Sequence, residues 1–210
     1  IELDSLSKNG YSGRLTYKSY NGERAAFLGG KSNLEWFDAG DGIYKAKTDG
    51  VFNFLYEDGE PSVKARYPNK SENRMSGYLS AADGGMTDFL KFNTGDIPNN
   101  EFGSDLQICV FDGGPNCLYS MNIFRAAVSY SENKISFSGS TQMKCTKGSK
   151  YYIQNSLELL DAPGEMYYSN DEGMVYYKPR NAERLPNVYA SYTAQAFNIS
   201  GTADMPIESV

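Results

Sequence analysis

Two-residue turn signals cut this chain into short runs. Asn21-Gly22, Gly29-Gly30, Asp41-Gly42 and Asp58-Gly59 break its first third into segments such as Arg14 to Tyr20, Ala25 to Leu28, Ile43 to Ala46, Val51 to Tyr56 and Val63 to Tyr67. Asn-Gly and Asp-Gly between runs of this kind are the strongest short-range sign of hairpins and tight corners. Further strands are expected at Phe89 to Phe92, Leu106 to Phe111, Leu118 to Val128, Ile135 to Phe137 and Met174 to Tyr177, with a long, weakly alternating β pattern at Val188 to Ile199 and Ile207 to Val210. The 17 Tyr and 11 Phe suit pleated, half-buried surfaces, while 21 Gly supply turns, so the composition agrees with an all-β fold. Only Asn155 to Leu160 reads as helical, capped by Asn155 or Ser156 and stopped by Pro163, and it spans one or two turns at most.

The punctuation changes along the chain. Before Trp36, two close strands joined by an Asn-Gly corner fit one coil of a β-solenoid; after it, hairpin turns and many short strands fit an antiparallel β-sandwich. At 210 residues such a chain buries a sizeable core without needing disulfides or metals.

Several function classes are excluded by what is missing. The sequence contains no His, which removes Ser-His-Asp and Cys-His nucleophilic machinery, histidine general bases and imidazole zinc sites. A net charge of -6 without a basic run removes the electrostatic grip on nucleic acid or an anionic membrane. The apolar runs fall short of the roughly 18 residues that cross a bilayer, and an export signal is expected to lie outside this sequence. Cys109, Cys117 and Cys145 read as three buried thiols or as one Cys109 to Cys117 bridge plus a free thiol.

Three stretches carry a resemblance. Ser19-Tyr20-Asn21-Gly22-Glu23 with Leu28-Gly29-Gly30 is the first, and Ala65-Arg66-Tyr67-Pro68-Asn69 the second. The third and longest begins Tyr151-Tyr152-Ile153-Gln154-Asn155, passes through Leu160-Asp161-Ala162-Pro163-Gly164-Glu165 and ends Tyr176-Tyr177-Lys178-Pro179. Together they resemble bacterial right-handed parallel β-helix proteins grouped with glycoside hydrolases, of the kind with a β-sandwich inserted early in the helix, including certain β-xylosidases, xylanases and fucosidases. The resemblance implies an all-β fold with a β-sandwich inserted in the first coils of a parallel β-helix: a first coil over residues 1–32, the sandwich over 33–182, and a return to the helix, truncated, over 183–210. It also implies a bacterial, secreted or cell-surface protein acting on a polysaccharide or oligosaccharide, with the remainder of a larger β-helix chain as partner. Catalytic carboxylates in such enzymes lie on later coils, so none is carried over here. Where the family commonly reads Gly-Glu-Trp-Tyr-Tyr-Asp, this chain has Gly164-Glu165-Met166-Tyr167-Tyr168-Ser169, which removes a tryptophan from that corner.

The expected function is thus a non-catalytic portion of a polysaccharide-degrading protein, supporting its helix or shaping the substrate cleft. The alternatives are a stand-alone carbohydrate-binding module and a structural domain without sugar affinity. Trp36, Arg66, Tyr152, Asp161, Glu165 and Tyr168 are the candidate substrate contacts. Each has a structural counter-reading: Trp36 as a packed anchor, Arg66 as half of an ion pair, Asp161 and Glu165 as turn carboxylates. In each Tyr pair one ring is expected to pack while the other faces solvent or ligand. Asp38, Asp41 and Asp112 sit in Gly-rich turns that could collect calcium, but none has the spacing of a calcium loop, so no metal or other cofactor is expected.

Overall fold

The computed structural model describes residues 2–3, 19–23, 30–31, 34–48, 50, 54–73, 76–181, 188–191 and 198–199. The expected strands at Ala25 to Leu28 and Ile207 to Val210, most of Arg14 to Tyr20, and parts of those beginning at Val51 and Val188, lie outside the described residues. So does most of the 1–32 and 183–210 segments. Within the described residues the fold is all-β, with a single 3-10 turn at Leu157–Leu159. Among the described residues no helix is long and apolar enough to cross a membrane.

Three sheets carry the architecture, and their strand order explains which residues are apolar. The first is seven-stranded. Its main path runs Phe89–Lys91, Lys134–Phe137, Met121–Ser129, Gln107–Phe111, Lys150–Gln154 and Arg66–Tyr67, and Leu79–Ser80 also pairs with Lys150–Gln154. The second is five-stranded, in the order Trp36–Gly40, Ile43–Lys47, Met174–Tyr177, Glu165–Ser169 and Val63–Lys64. The third joins Gly30–Lys31, Val188–Ser191, Leu55–Glu57 and Glu60–Pro61. Apart from these, Glu2–Leu3 pairs in parallel with Asn198–Ile199.

Two cores fill the spaces between the sheets. Leu90, Ile108, Val110, Ile135, Tyr151 and Ile153 of the first sheet pack with Tyr176 of the second, and Ile43, Tyr167 and Met174 close this first core. The second core sets Ala46, Met166, Tyr168, Val175 and Tyr177 of the five-stranded sheet against Leu55, Val188 and Ala190 of the third. The five-stranded sheet is therefore the middle layer. Successive side chains on a strand point to opposite faces, so a strand buried on both sides shows continuous rather than alternating burial. This is why Met174–Tyr177 and Glu165–Ser169 are buried almost throughout, whereas Met121–Ser129, with one face free, alternates exposed and half-buried residues over most of its length. At Tyr176-Tyr177 both rings are buried, one in each core, because neither face of that strand meets solvent.

The turn chemistry acts where it was expected. Asp41-Gly42 and Asp58-Gly59 hold both residues at positive φ (53° and 72°, 50° and 90°) and close two-residue hairpins. Two local readings change. Val63 to Tyr67 is not one strand: Val63–Lys64 pairs with the five-stranded sheet, Arg66–Tyr67 with the seven-stranded one, and the fully buried Ala65 marks the crossing. The helical segment shrinks to its 3-10 turn, since the Ser156 hydroxyl donates to Glu158 instead of capping the backbone, and Asn155, at φ 62°, turns its amide to the Asp105 carbonyl.

Candidate functional site

The seven-stranded sheet has one face on the first core and the other turned away from it. Parity assigns the outward residues: Ile108, Val110, Tyr151 and Ile153 point into the core, so Gln107, Cys109, Phe111, Tyr152 and Gln154 point out. Strand register then places them in rows. Arg66, Gln154, Gln107 and Arg125 stand directly opposite one another across four neighbouring strands, and Tyr152, Cys109 and Ile123 form the next row. At a strand spacing of about 4.8 Å, the four-residue row spans about 14 Å.

Arg66 organises one end of this face. Its Nε donates to the Pro68 carbonyl at 2.9 Å and its Nη2 to the Gly77 carbonyl at 2.5 Å, so the guanidinium ties these two points of the chain together. The guanidinium carbon lies 3.5 Å from the centre of the Tyr152 ring and 5.7 Å from that of Tyr78, a close cation–π stack. Tyr78 in turn meets Phe111 edge-on at 5.5 Å. Lys64 enters from the five-stranded sheet, and its ammonium donates to Gln107 Oε1 at 3.5 Å, the same oxygen that receives the Gln154 amide at 3.0 Å. Burial pushes both the Lys64 and the Arg66 pKa down. Burial also pushes the Cys109 thiol up to about 11, against the opposing hydrogen bond from Tyr152 and the charge of Arg66.

Glu165 lies behind Arg66, almost fully buried. Its carboxylate accepts from the Ala162 amide at 3.2 Å, and burial raises its pKa from an ordinary 4.5 to about 7, with the nearby Asp161 charge adding to the rise. Asp161 itself is exposed and receives the Asn69 amide at 3.0 Å. Arg66, Tyr152, Asp161 and Glu165 are therefore brought into one neighbourhood. Trp36 and Tyr168 are not in it: both pack on the second core, Trp36 half-buried with its ring 6.3 Å from Tyr177, and Tyr168 buried.

The three turn aspartates do not converge. Asp38 accepts from the Gly40 amide at 2.8 Å in the Asp41-Gly42 hairpin, whereas Asp112 is fully buried elsewhere, with one oxygen on the Met143 amide at 2.8 Å. Among the described residues no three His, Cys, Asp or Glu side chains are grouped to hold a metal. The three cysteines are buried, free thiols. Residues that sequence reasoning passed over are Lys64, Tyr78, Gln107 and Arg125. Gln154 was legible as part of the third motif, but only the strand order sets Gln154, Gln107 and Arg125 in the row that begins at Arg66.

Residues 132–180 match the GH141 insertion domain. The matched segment contains the strands that carry Tyr152, Gln154 and Glu165. A solved structure described as a glycoside hydrolase is similar to this chain with a TM-score of 0.61 and 19% identity, over 86% of this chain and 34% of that one. The chain thus spans about a third of that protein's length, and the likeness is one of fold. No curated protein matches the chain.

Proposed function

We propose that this chain is a non-catalytic portion of a larger, secreted or cell-surface, bacterial carbohydrate-active protein of the right-handed parallel β-helix kind. In this reading residues 33–182 form a domain inserted between a first coil, 1–32, and the returning helix, 183–210. It supports the helix or shapes the wall of a cleft for a polysaccharide. The observation that carries the reading is the match of residues 132–180 to an insertion domain of glycoside hydrolases.

Two pairings support it. An inserted domain leaves and rejoins its host at neighbouring points, and Gly30–Lys31 pairs with Val188–Ser191. Successive coils of a parallel β-helix pair in parallel, and Glu2 and Leu3 stand opposite Asn198 and Ile199 in parallel register. The two most motif-bound acids do not form a catalytic pair: Glu165 is buried with its carboxylate on a backbone amide, and Asp161 is held by Asn69. Glycoside hydrolysis needs two carboxyls free to reach the bond from either side.

The test is to assay the purified chain on xylan, pectin, alginate and aryl glycosides. No turnover is expected. Turnover abolished by Asp161→Asn or Glu165→Gln would overturn the reading, because it would put the active site within these residues.

A further inference from the structure

The chain carries 26 acidic against 20 basic residues, yet the strands of the seven-stranded sheet hold no acid, and Arg66, Arg125, Lys150, Lys134 and Lys91 stand on its outer face, where Lys64 joins them. Neither Lys64 nor Arg66 has an ion-pair partner among the described residues. Lys64 is half-buried with one long hydrogen bond, to Gln107. Arg66 is held by two backbone carbonyls and an aromatic face, with the Glu165 charge acting on it only at longer range. Glu165, the nearest acid behind it, turns its carboxylate to the Ala162 amide and makes no ion pair with the guanidinium. Arg125 is 61% exposed, and its one ion pair, to Asp105 at 3.9 Å, is long. Asp105 is already taken up by the Asn170 backbone and side-chain amides at 2.9 and 2.5 Å. Lys64 and Arg66 are partly withdrawn from water with no carboxylate in contact, which is costly, and a ligand carboxylate would supply that contact.

We propose that this face binds a glycan bearing carboxylate groups, gripped by Lys64 and Arg125 on either side of Gln107 and set beside the Arg66–Tyr152 stack. Gln107 stands in the same row as Arg125, and its amide nitrogen donates to nothing among the described residues, so it is placed for sugar hydroxyls. Met121 and Ile123, 51% and 49% exposed on the same face, offer apolar ground for the C–H faces of a sugar ring. The Arg66 guanidinium is fixed by its two carbonyls and its ring stack, so this end of the site is ordered before binding and loses little freedom on it. A chain of net charge -6 opposes a nucleic-acid backbone, whereas a short acidic saccharide needs only the few cations grouped around Gln107.

This inference rests on the reading of the chain as part of a carbohydrate-active protein. Its test is calorimetric titration of the chain with oligogalacturonate, a neutral xylo-oligosaccharide and a sulfated heparin-derived oligosaccharide, with Trp36 fluorescence checking that each variant is folded. Oligogalacturonate should bind, weaken with added salt, and lose at least about tenfold in affinity in Lys64→Gln and in Arg125→Gln, while Lys64→Arg and Arg125→Lys retain most of it. Equal binding of the neutral sugar, tighter binding of the sulfated one, unchanged affinity in the neutralised variants, or no binding at all would each overturn the inference. None of these outcomes bears on the accessory reading, which stands or falls on turnover by the chain.

Discussion

Glu57 joins the third sheet to the middle one. It is 4% exposed, its carboxylate accepts from the Tyr177 hydroxyl, and the Arg180 backbone amide and Nη1 donate to the same oxygen at 3.1 and 3.2 Å. Glu57→Ala removes the acceptor from a hydroxyl that is 1% exposed and cannot turn to water. A buried donor left unsatisfied costs about 1–3 kcal/mol, and the lost charge-assisted bonds to Arg180 add less, since that side chain is partly exposed and rehydrates. The expected total is about 3 kcal/mol, which for a chain of this size lowers Tm by about 10 °C. Trp36, the only tryptophan, sits 6.3 Å from the Tyr177 ring, so its fluorescence during urea or thermal unfolding reports on this core. The coupling is the sharper test. Tyr177→Phe alone should cost about 1 kcal/mol, but in the Glu57→Ala background it should cost nothing or stabilise, because it then removes an orphaned hydroxyl. Additive losses, or a Glu57→Ala loss under about 1 kcal/mol, would refute the bridging role.

Two further outcomes follow from the same geometry. The raised Glu165 pKa means the folded chain binds a proton more tightly than the unfolded one, so its contribution to stability falls as pH rises from about 4.5 to about 7 and stays low above that. Glu165→Gln should therefore gain in Tm relative to the parent between pH 5 and pH 7, and parallel Tm curves over that range would contradict the assignment. Two glycines should separate by mechanism: a Cβ on Gly84 would lie 2.1 Å from the Cys145 carbonyl oxygen, whereas one on Gly42, at φ +72°, meets nothing within 4 Å. Gly84→Ala should cost about 3 kcal/mol by forcing backbone apart, and Gly42→Ala about 1 kcal/mol from the left-handed conformation alone. Chemical denaturation of both variants checks the order, which must not reverse.

The sequence by itself was sufficient for the all-β class and for the positions of many strands, because both rest on local chemistry. Asp41-Gly42 and Asp58-Gly59 adopt the positive-φ pairs that close two-residue hairpins whatever surrounds them, and Met174 to Tyr177 was delimited by its flanking turns alone. Local chemistry also excluded histidine-based catalysis, since a residue that is absent is absent from every fold.

Which strands became neighbours was decided only in three dimensions. The 63–67 run reads as one strand, and nothing in its residues reveals that it crosses between two sheets at Ala65. The Tyr pairs were expected to expose one ring each, yet Tyr176 and Tyr177 are both buried, because the five-stranded sheet is covered on both faces, a property of the layering and not of the strand. Trp36 and Tyr168, chosen for their chemistry, went to the second core. Arg66 met Tyr152, separated from it by 86 positions, and strand pairing set Gln154, Gln107 and Arg125 in its row. Turn geometry is written in adjacent residues, whereas a row across a sheet is assembled from distant ones whose register is set by the packing of the whole core.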